Sequence, residues 1–368
     1  MANSVIIFDE AQMIPNQYLK PCIAAMEQLL RHYGSTLVLC TATQPALETL
    51  FSKDIHITEL CPRMEEQFAF FKRARVEEIG KLSADALADR LKKETCALCI
   101  LNTKKMTQHL YEMLKGDGVY HLSTSMYPRH RKQVLKEIRR QLRTGKKCVV
   151  LSTSLVEAGV DLDFETVYRQ LAGIDSIIQA AGRCNREGKR HMEDCYTYVF
   201  QLEEKEYMPG QRQQMDVAKS LMLEGKQLDA LDTIHDYFAQ LYYYKRDSLD
   251  QKEILKMFQP GQFGFATAAK AFRLIESDTV ALLIQREERA KQLAEELIVK
   301  GATRKRIREA GLYSVSIYRQ QLEPFLAAGM AKAISSDIDD FYILTNMEQY
   351  KEDTGLNMTF GLGEAVIL

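Results

Sequence analysis

Short apolar runs alternate with amphipathic stretches over about the first two hundred residues, and this alternation constrains the fold more than any single motif. The first series reads VIIFDE from Val5, an amphipathic stretch from Gln17 to Tyr33, TLVLCTAT from Thr36, and a short helix after Pro45. A second begins near Phe68 and runs through ALCILNT, a helix from Lys104 to Lys115, VYHLST, a long helix from Arg129 to Thr144, CVVLSTS and ETVYRQL. It closes near Phe200 with CYTYVFQL. Strand–helix–strand order of this kind predicts an α/β fold of parallel sheets with helical crossovers. The two series are unequal. The second holds enough strands for a complete sheet, while the first supplies only part of one and reads as truncated, because roughly sixty residues seldom bury a sufficient core alone. From Glu203 onward helices dominate, with strands expected at TVALLIQ, YSVSIY and DFYILT. The chain divides on this reading at 1–66, 67–205 and 206–368, the last a mostly helical accessory domain.

Charge gives no overall bias. Lysine plus arginine (49) nearly cancels aspartate plus glutamate (50), so any polyanion site must arise from local clustering. The eight cysteines lie among ordinary residues with no N-terminal apolar leader before them, and read as reduced thiols of a cytoplasmic protein. Cys96 and Cys99 are spaced C-x-x-C inside an apolar strand, where residues three apart face opposite ways, so a metal or redox pair is not expected. No stretch is long and apolar enough to span a membrane.

Candidate chemistry begins with Asp9 and Glu10 at the end of VIIF. One carboxylate there can hold hydrated magnesium while the other orients water towards a phosphoryl group, although a solvated turn explains an isolated Asp-Glu pair as well. The segment QAAGRCNREGK sets Gln179, Gly182, Arg183 and Arg186 in the spacing Q-x-x-G-R-x-x-R. Two guanidiniums three apart share one side of a helix if that segment is helical, and their planar fork suits a γ-phosphate; the bland alternative is a solvated basic turn. Between these ends, VVLSTSLVEAGVDLDF puts Ser152 and Thr153 after a buried strand, followed by Gly159 and Asp161. TLVLCTAT sets Thr41 and Thr43 in the same way, and LNT sets Asn102 and Thr103. Single threonines after strands are usually caps. Here the order of the motifs argues for more, since each falls at a βα junction, where open parallel sheets hold their ligands.

Taken in that order, the motifs resemble those of superfamily 2 helicases. More narrowly, DEAQMIP, TATQP, LNTKKM, LSTSMYPRHR, EAGVDLDF and QAAGRCNREG resemble the CRISPR-associated helicase–nuclease of type I interference, from Val5 to about Gly188. The resemblance implies two RecA-like domains, of which this chain would hold the tail of the first and the whole of the second, followed by the accessory domain. It also implies ATP and Mg²⁺ as cofactors, with single-stranded DNA and an RNA-guided surveillance complex as partners. By position it gives Asp9 to magnesium and Glu10 to magnesium and water activation. Thr41 and Thr43 would couple nucleotide to DNA, while Asn102, Thr103, Ser152 and Thr153 would touch the tracked strand. Gly159 and Asp161 would lie at the nucleotide cleft, and Gln179, Arg183 and Arg186 would close on the γ-phosphate, with Arg186 as the finger. Ser154 departs from the family, which more often has glutamine there.

The pattern G-x-x-x-x-G-K-[ST] does not occur in the sequence, so the lysine and amide cradle for the β- and γ-phosphates are missing from this chain. Nothing matches the family's nuclease domain either, and the lone His235-Asp236 lacks the converging ligands such a metal site needs. The isolated chain is therefore expected to be inactive as an ATPase. Rival readings are another superfamily 2 motor, a non-catalytic DNA-binding module, and a split enzyme completed by a separate chain bearing the phosphate loop and nuclease. One further region is strongly basic: residues 129–147 carry nine Lys/Arg against one Glu. Val134, Leu135, Ile138 and Leu142 form its buried stripe at helical spacing, leaving either a solvated crossover helix or a phosphate-tracking surface, with Arg131 the preferred contact.

Overall fold

The computed structural model describes residues 1–41, 47–204, 206, 210–259, 263–273, 278–335 and 338–358. The first series forms β1 (Val5–Phe8), α1 (Leu19–His32) and β2 (Thr36–Leu39). Strands β1 and β2 pair in parallel, from Val5 opposite Thr36 to Phe8 opposite Leu39. Among the described residues they are the whole of this sheet, the partial one expected of the first series.

After α2 (Met64–Phe71) the second series forms β3 (Arg75–Leu82), α3 (Ala84–Lys92), β4 (Cys96–Ile100), α4 (Lys104–Leu114), β5 (Val119–Leu122), α5 (Pro128–Thr144), β6 (Cys148–Ser152), β7 (Thr166–Gln170), α6 (Ile174–Ala181) and β8 (Tyr196–Leu202). Its six strands lie in the order β3-β8-β7-β4-β6-β5, every pair parallel, which makes this a complete RecA-like sheet. Strands buried on both faces must read as unbroken apolar runs, and CALCI and CVVLS do so at the centre. Helix α5 begins with Pro128 at its first position, where no amide partner is lost, and stops at Gly145 in the left-handed region (φ 64°). Its Ile138 is fully buried, with Val134, Leu135 and Leu142 packed around the same core.

The remaining chain forms α7 (Arg212–Leu223), α8 (Leu231–Tyr244), α9 (Phe265–Ala271), β9 (Thr279–Leu283), α10 (Glu288–Lys300), α11 (Arg304–Gly311), β10 (Ser314–Tyr318), α12 (Arg319–Ala327), β11 (Ala331–Ala333), β12 (Phe341–Leu344) and a hairpin of β13 (Tyr350–Lys351) and β14 (Gly355–Leu356). The three expected strands join β11 in a mixed sheet, β10-β9-β12-β11, whose β9–β12 pair alone is parallel.

Core residues explain how so small a first unit is held. Leu19, Ile23 and Met26 of α1 share one cluster with Ile174 and Ile177 of α6 and with Val217, Leu221, Tyr237 and Leu241 of α7 and α8. Tyr18 adds a hydrogen bond from its hydroxyl to the Ala271 carbonyl (3.1 Å), and the Lys20 amide donates to Leu249 (3.0 Å). The first unit thus borrows its core from the rest of the chain. At the other end the hairpin docks on the second sheet's domain: the Leu356 amide donates to Ser125 (2.8 Å), and Tyr350 and His130 meet at 2.7 Å. All eight cysteines are free thiols. Among the described residues no helix is long and apolar enough to cross a membrane.

Candidate nucleotide cleft and strand contacts

Asp9 and Glu10 follow β1 directly. Glu10 sits in the left-handed region (φ 53°, ψ 48°), a costly conformation for a residue with a Cβ. Its amide donates to Asp9 Oδ1 (3.0 Å), the Gln12 side chain donates to its carboxylate, and the Ala11 amide donates to Cys40 beyond β2 (3.0 Å). These bonds fix both carboxylates at the strand end. Thr41 lies half-buried just after β2, whereas Thr43 lies outside the described residues.

The candidate arginines lie in the turn that ends α6. Arg183 is only 6% exposed; its Nε donates to the Val156 carbonyl (2.8 Å) and its terminal nitrogen to that of Glu157. Burial, then neighbouring Arg186, pushes the Arg183 guanidinium below its ordinary value, while Asp161, Glu157 and Glu10 pull it back up. Ala11, next to Glu10, shares a buried cluster with Ile174 and Ile177 of α6, the helix that leads into the arginine turn, so the acidic strand end and that helix belong to one packed unit. Arg186 is half-exposed and pairs with the more open Asp161 at 2.6 Å, at the surface. Gly159 occupies the left-handed region (φ 70°) in the loop between, and Gln179 is half-buried on α6.

The strand-contact candidates lie at the C-terminal ends of β4 and β6, and most of their polar atoms already have partners. Asn102 receives Arg169 on its side-chain oxygen (2.7 Å) and donates to Leu171 (2.8 Å), while its amide donates to Gln170 (2.8 Å). Thr103 caps α4, accepting from Met106 (3.2 Å), and its hydroxyl donates to Glu206. Ser152 is fully buried with its hydroxyl bonded to Leu122 (2.8 Å). Thr153 is half-buried and makes no side-chain cap, which leaves its hydroxyl the most available. Arg131 is also half-buried, donating to the Met126 carbonyl (2.7 Å).

Sequence reading missed the group that joins these loops. Arg169, 1% exposed on β7, stands 2.8 Å from the buried Glu157, an ion pair not aligned as a hydrogen bond. Burial lowers Arg169 and raises Glu157, each opposed by the other's charge. Glu157 also accepts from Ser176 of α6 (3.1 Å), and its carbonyl holds Arg183. One residue, Glu157, thus links the arginine turn through its carbonyl to Arg169 and Asn102 through its carboxylate. An arginine inside the apolar run TVYRQ was the available signal, because a strand covered on both faces admits a charge only with a partner. No group of three or more His, Cys, Asp or Glu side chains suited to a metal occurs among the described residues.

Comparison with known proteins agrees with this architecture. Residues 93–189 match the family described as CRISPR-associated nuclease/helicase Cas3, C-terminal. The CRISPR-associated nuclease/helicase Cas3 of Methanothermobacter thermautotrophicus is 23% identical over 277 residues, 69% of this chain and 31% of that protein. The chain therefore spans about a third of that relative's length. A T. fusca Cas3 solved with ATP superposes with a TM-score of 0.60 at 14% identity, over 92% of this chain and 50% of that one. A chain of an RNA-guided surveillance complex, captured before nicking, gives 0.53 at 15% identity, over 92% and 53%. In both the likeness is one of fold. Motifs, fold and relatives agree that this chain is a relative of the CRISPR-associated nuclease/helicase Cas3 proteins, with that family's C-terminal domain at residues 93–189.

Proposed function

We propose that this chain forms the arginine-bearing side of an ATP-driven motor that moves single-stranded DNA in type I CRISPR interference, with the phosphate loop supplied from outside this sequence. The observation that carries this reading is the packing of Ala11, beside the two carboxylates, in one cluster with Ile174 and Ile177 of the helix that ends in the arginine turn. ATP would sit between the acidic end of β1 and the turn after α6, bordered by Gly159, Asp161 and Gln179. Two carboxylates suit magnesium, which keeps several waters and takes few protein ligands beside the phosphates; Asp9 would hold it, with Glu10 near the attacking water. The ion would neutralise charge on the transferred phosphoryl.

The two arginines divide the work. Arg183 is tied to two carbonyls and shapes the cleft wall, whereas Arg186 rests in an exposed ion pair of the kind worth about 0–1 kcal/mol. A bidentate γ-phosphate outcompetes so weak a partner, which makes Arg186 the finger. Arrival of the phosphate would release Asp161 and move the loop that Glu157 shares with Asn102, Thr103 and Thr153. Thr41, Thr43, Ser152 and Arg131 belong to the same strand path, Ser152 and Arg131 as supports for its backbone. The nucleotide-bound and surveillance-complex relatives support ATP as ligand and such a complex as partner. The division at 1–66, 67–205 and 206–368 is the corresponding domain plan, and the cytoplasm the setting.

DNA-stimulated ATP hydrolysis provides the test. The chain alone is expected to give none, and a separately expressed segment with phosphate loop and nuclease domain to restore turnover that Glu10→Gln abolishes. Turnover by the chain alone, lost on Glu10→Gln, would overturn the requirement for an outside phosphate loop; restored turnover indifferent to Glu10 would overturn the cleft itself.

A further inference from the structure

The preferred cation on the basic helix, Arg131, is half-buried and bonded to backbone, so the rest of that helix needs a different account. On α5 the exposed residues include Arg129, Lys132, Lys136, Arg140 and Arg143, spaced by three or four and therefore on one face. On α11 they include Arg304, Lys305 and Arg308, again one face, ending at exposed Leu312. The two faces meet, because the Leu312 carbonyl accepts from the Arg129 amide (3.0 Å) and the Arg129 guanidinium lies over Tyr313, 5.6 Å from the ring centre.

Among the described residues, Arg129 is paired with Glu287 (2.8 Å) and Arg140 with Glu137 (2.6 Å). Lys132, Lys136, Arg143, Arg304, Lys305 and Arg308 have no carboxylate of a described residue within 4 Å. Six cations without an ion-pair partner, three of them lysines, make a poor core for a protein interface, where lysine is depleted and aromatic anchors are enriched. They fit a phosphate backbone, which needs only positive charge in a row. From Lys132 to Arg143 the helix advances about 16 Å at 1.5 Å per residue. That length matches about five phosphates of a duplex strand at ~3.4 Å each.

We propose that the joined outer faces of α5 and α11 form a sequence-independent nucleic-acid backbone site, separate from the strand path at the ends of β4 and β6. It rests on the nucleic-acid reading above but uses a different surface, so the two can fail separately.

The test is binding of the whole chain to a mixed-sequence 20-mer, single-stranded and as duplex, by fluorescence anisotropy across a salt series. Lys132→Glu/Lys136→Glu and Arg304→Glu/Arg308→Glu are each expected to weaken binding at least about tenfold near 0.1 M salt and to flatten the single-strand salt slope by about 1.4, or 0.7 per lost contact. All four positions are exposed, and an unchanged thermal melt would show that both variants fold. Thr153→Ala, in the cleft, should have the smaller effect. Wild-type binding with both double variants within twofold of it would overturn the proposal and leave the cleft path standing. Loss in the double variants, with Thr153→Ala and added ATP without effect, would sustain the proposal and sink the strand path. Absence of wild-type binding, or equal binding to polyglutamate, would overturn it, the latter in favour of a protein surface.

Discussion

The two parallel sheets are written in the same grammar and have different fates. In β4 the residues Ala97 to Ile100 are fully buried, because β6 and β7 flank the strand and helices cover both faces. In β1, by contrast, Val5 and Ile7 are about two-thirds exposed (67% and 65%), and Ile6 and Phe8 are only half-buried, Phe8 against the cluster that includes α1. An apolar run therefore becomes core only where neighbouring strands and helices supply the other walls. The first sheet shows an open apolar face beside its two carboxylates; the second carries its polar groups inside, satisfied in pairs.

That contrast can be tested by substitution. The largest stability effect is expected at Arg169→Ala, which strands buried Glu157 without its partner and should cost about 3–5 kcal/mol in denaturant unfolding; a loss under 1 kcal/mol would show that the pair contributes nothing. Leu98→Ala at the centre of β4 should cost about 2–5 kcal/mol, whereas Ile7→Ala on the open face of β1 should stay within about 0.5. Equal costs would erase the distinction between the sheets.

A pH effect of intermediate size should mark the second sheet alone. His121 on β5 is buried, neither ring nitrogen has a hydrogen-bond partner, and burial pushes its pKa from 6.5 down to about 4. Its folded-state value is depressed, so stability is fully present above pH 6.5 and drains away as the pH falls towards 4, where only the unfolded chain takes up the proton. At 1.36 kcal/mol per unit the loss is about 3 kcal/mol. Unfolding measured at pH 7 and 4.5 should show most of it, and His121→Phe should flatten the difference. A variant as pH-sensitive as the parent would place the effect elsewhere, with His130 the next candidate.

The smallest stability effect belongs to the cleft. Arg186→Ala removes only an exposed pair with Asp161 and should change stability by less than about 1 kcal/mol, while Arg183→Ala, which frees two carbonyls in a buried turn, should cost more. Similar unfolding midpoints would mean that the two arginines are not divided between wall and finger.

Much of this architecture was legible in the sequence because it depends on local periodicity. Continuous apolar runs marked the buried strands, and the stripe Val134, Leu135, Ile138 and Leu142 gave α5 its inner face. The motif residues were legible as a succession of βα junctions except the last. Gln179 lies within α6, and Arg183 and Arg186 lie in the turn after it, one buried and one at the surface, so the two arginines do not share the helical face their spacing suggested. What escaped notice depends on contacts between distant segments. Nothing local to Leu19 or Ile23 says that their partners lie on α7 and α8. The role of Glu157 appears only once Arg169, Ser176 and Arg183 have been brought to it from three other elements. Arg131 was favoured for its motif, yet the fold turns it to Met126 and leaves its neighbours Lys132 and Lys136 outward.

A double-mutant cycle on ATP turnover bears most directly on whether Glu10 and Arg186 serve one triphosphate. In the motor completed by its phosphate loop, Glu10→Gln and Arg186→Ala should each reduce kcat by about 10³-fold or more, and the double variant should be hardly slower than the worse single. Losses that multiply in full would place the two side chains at independent sites, and the shared cleft would have to be abandoned.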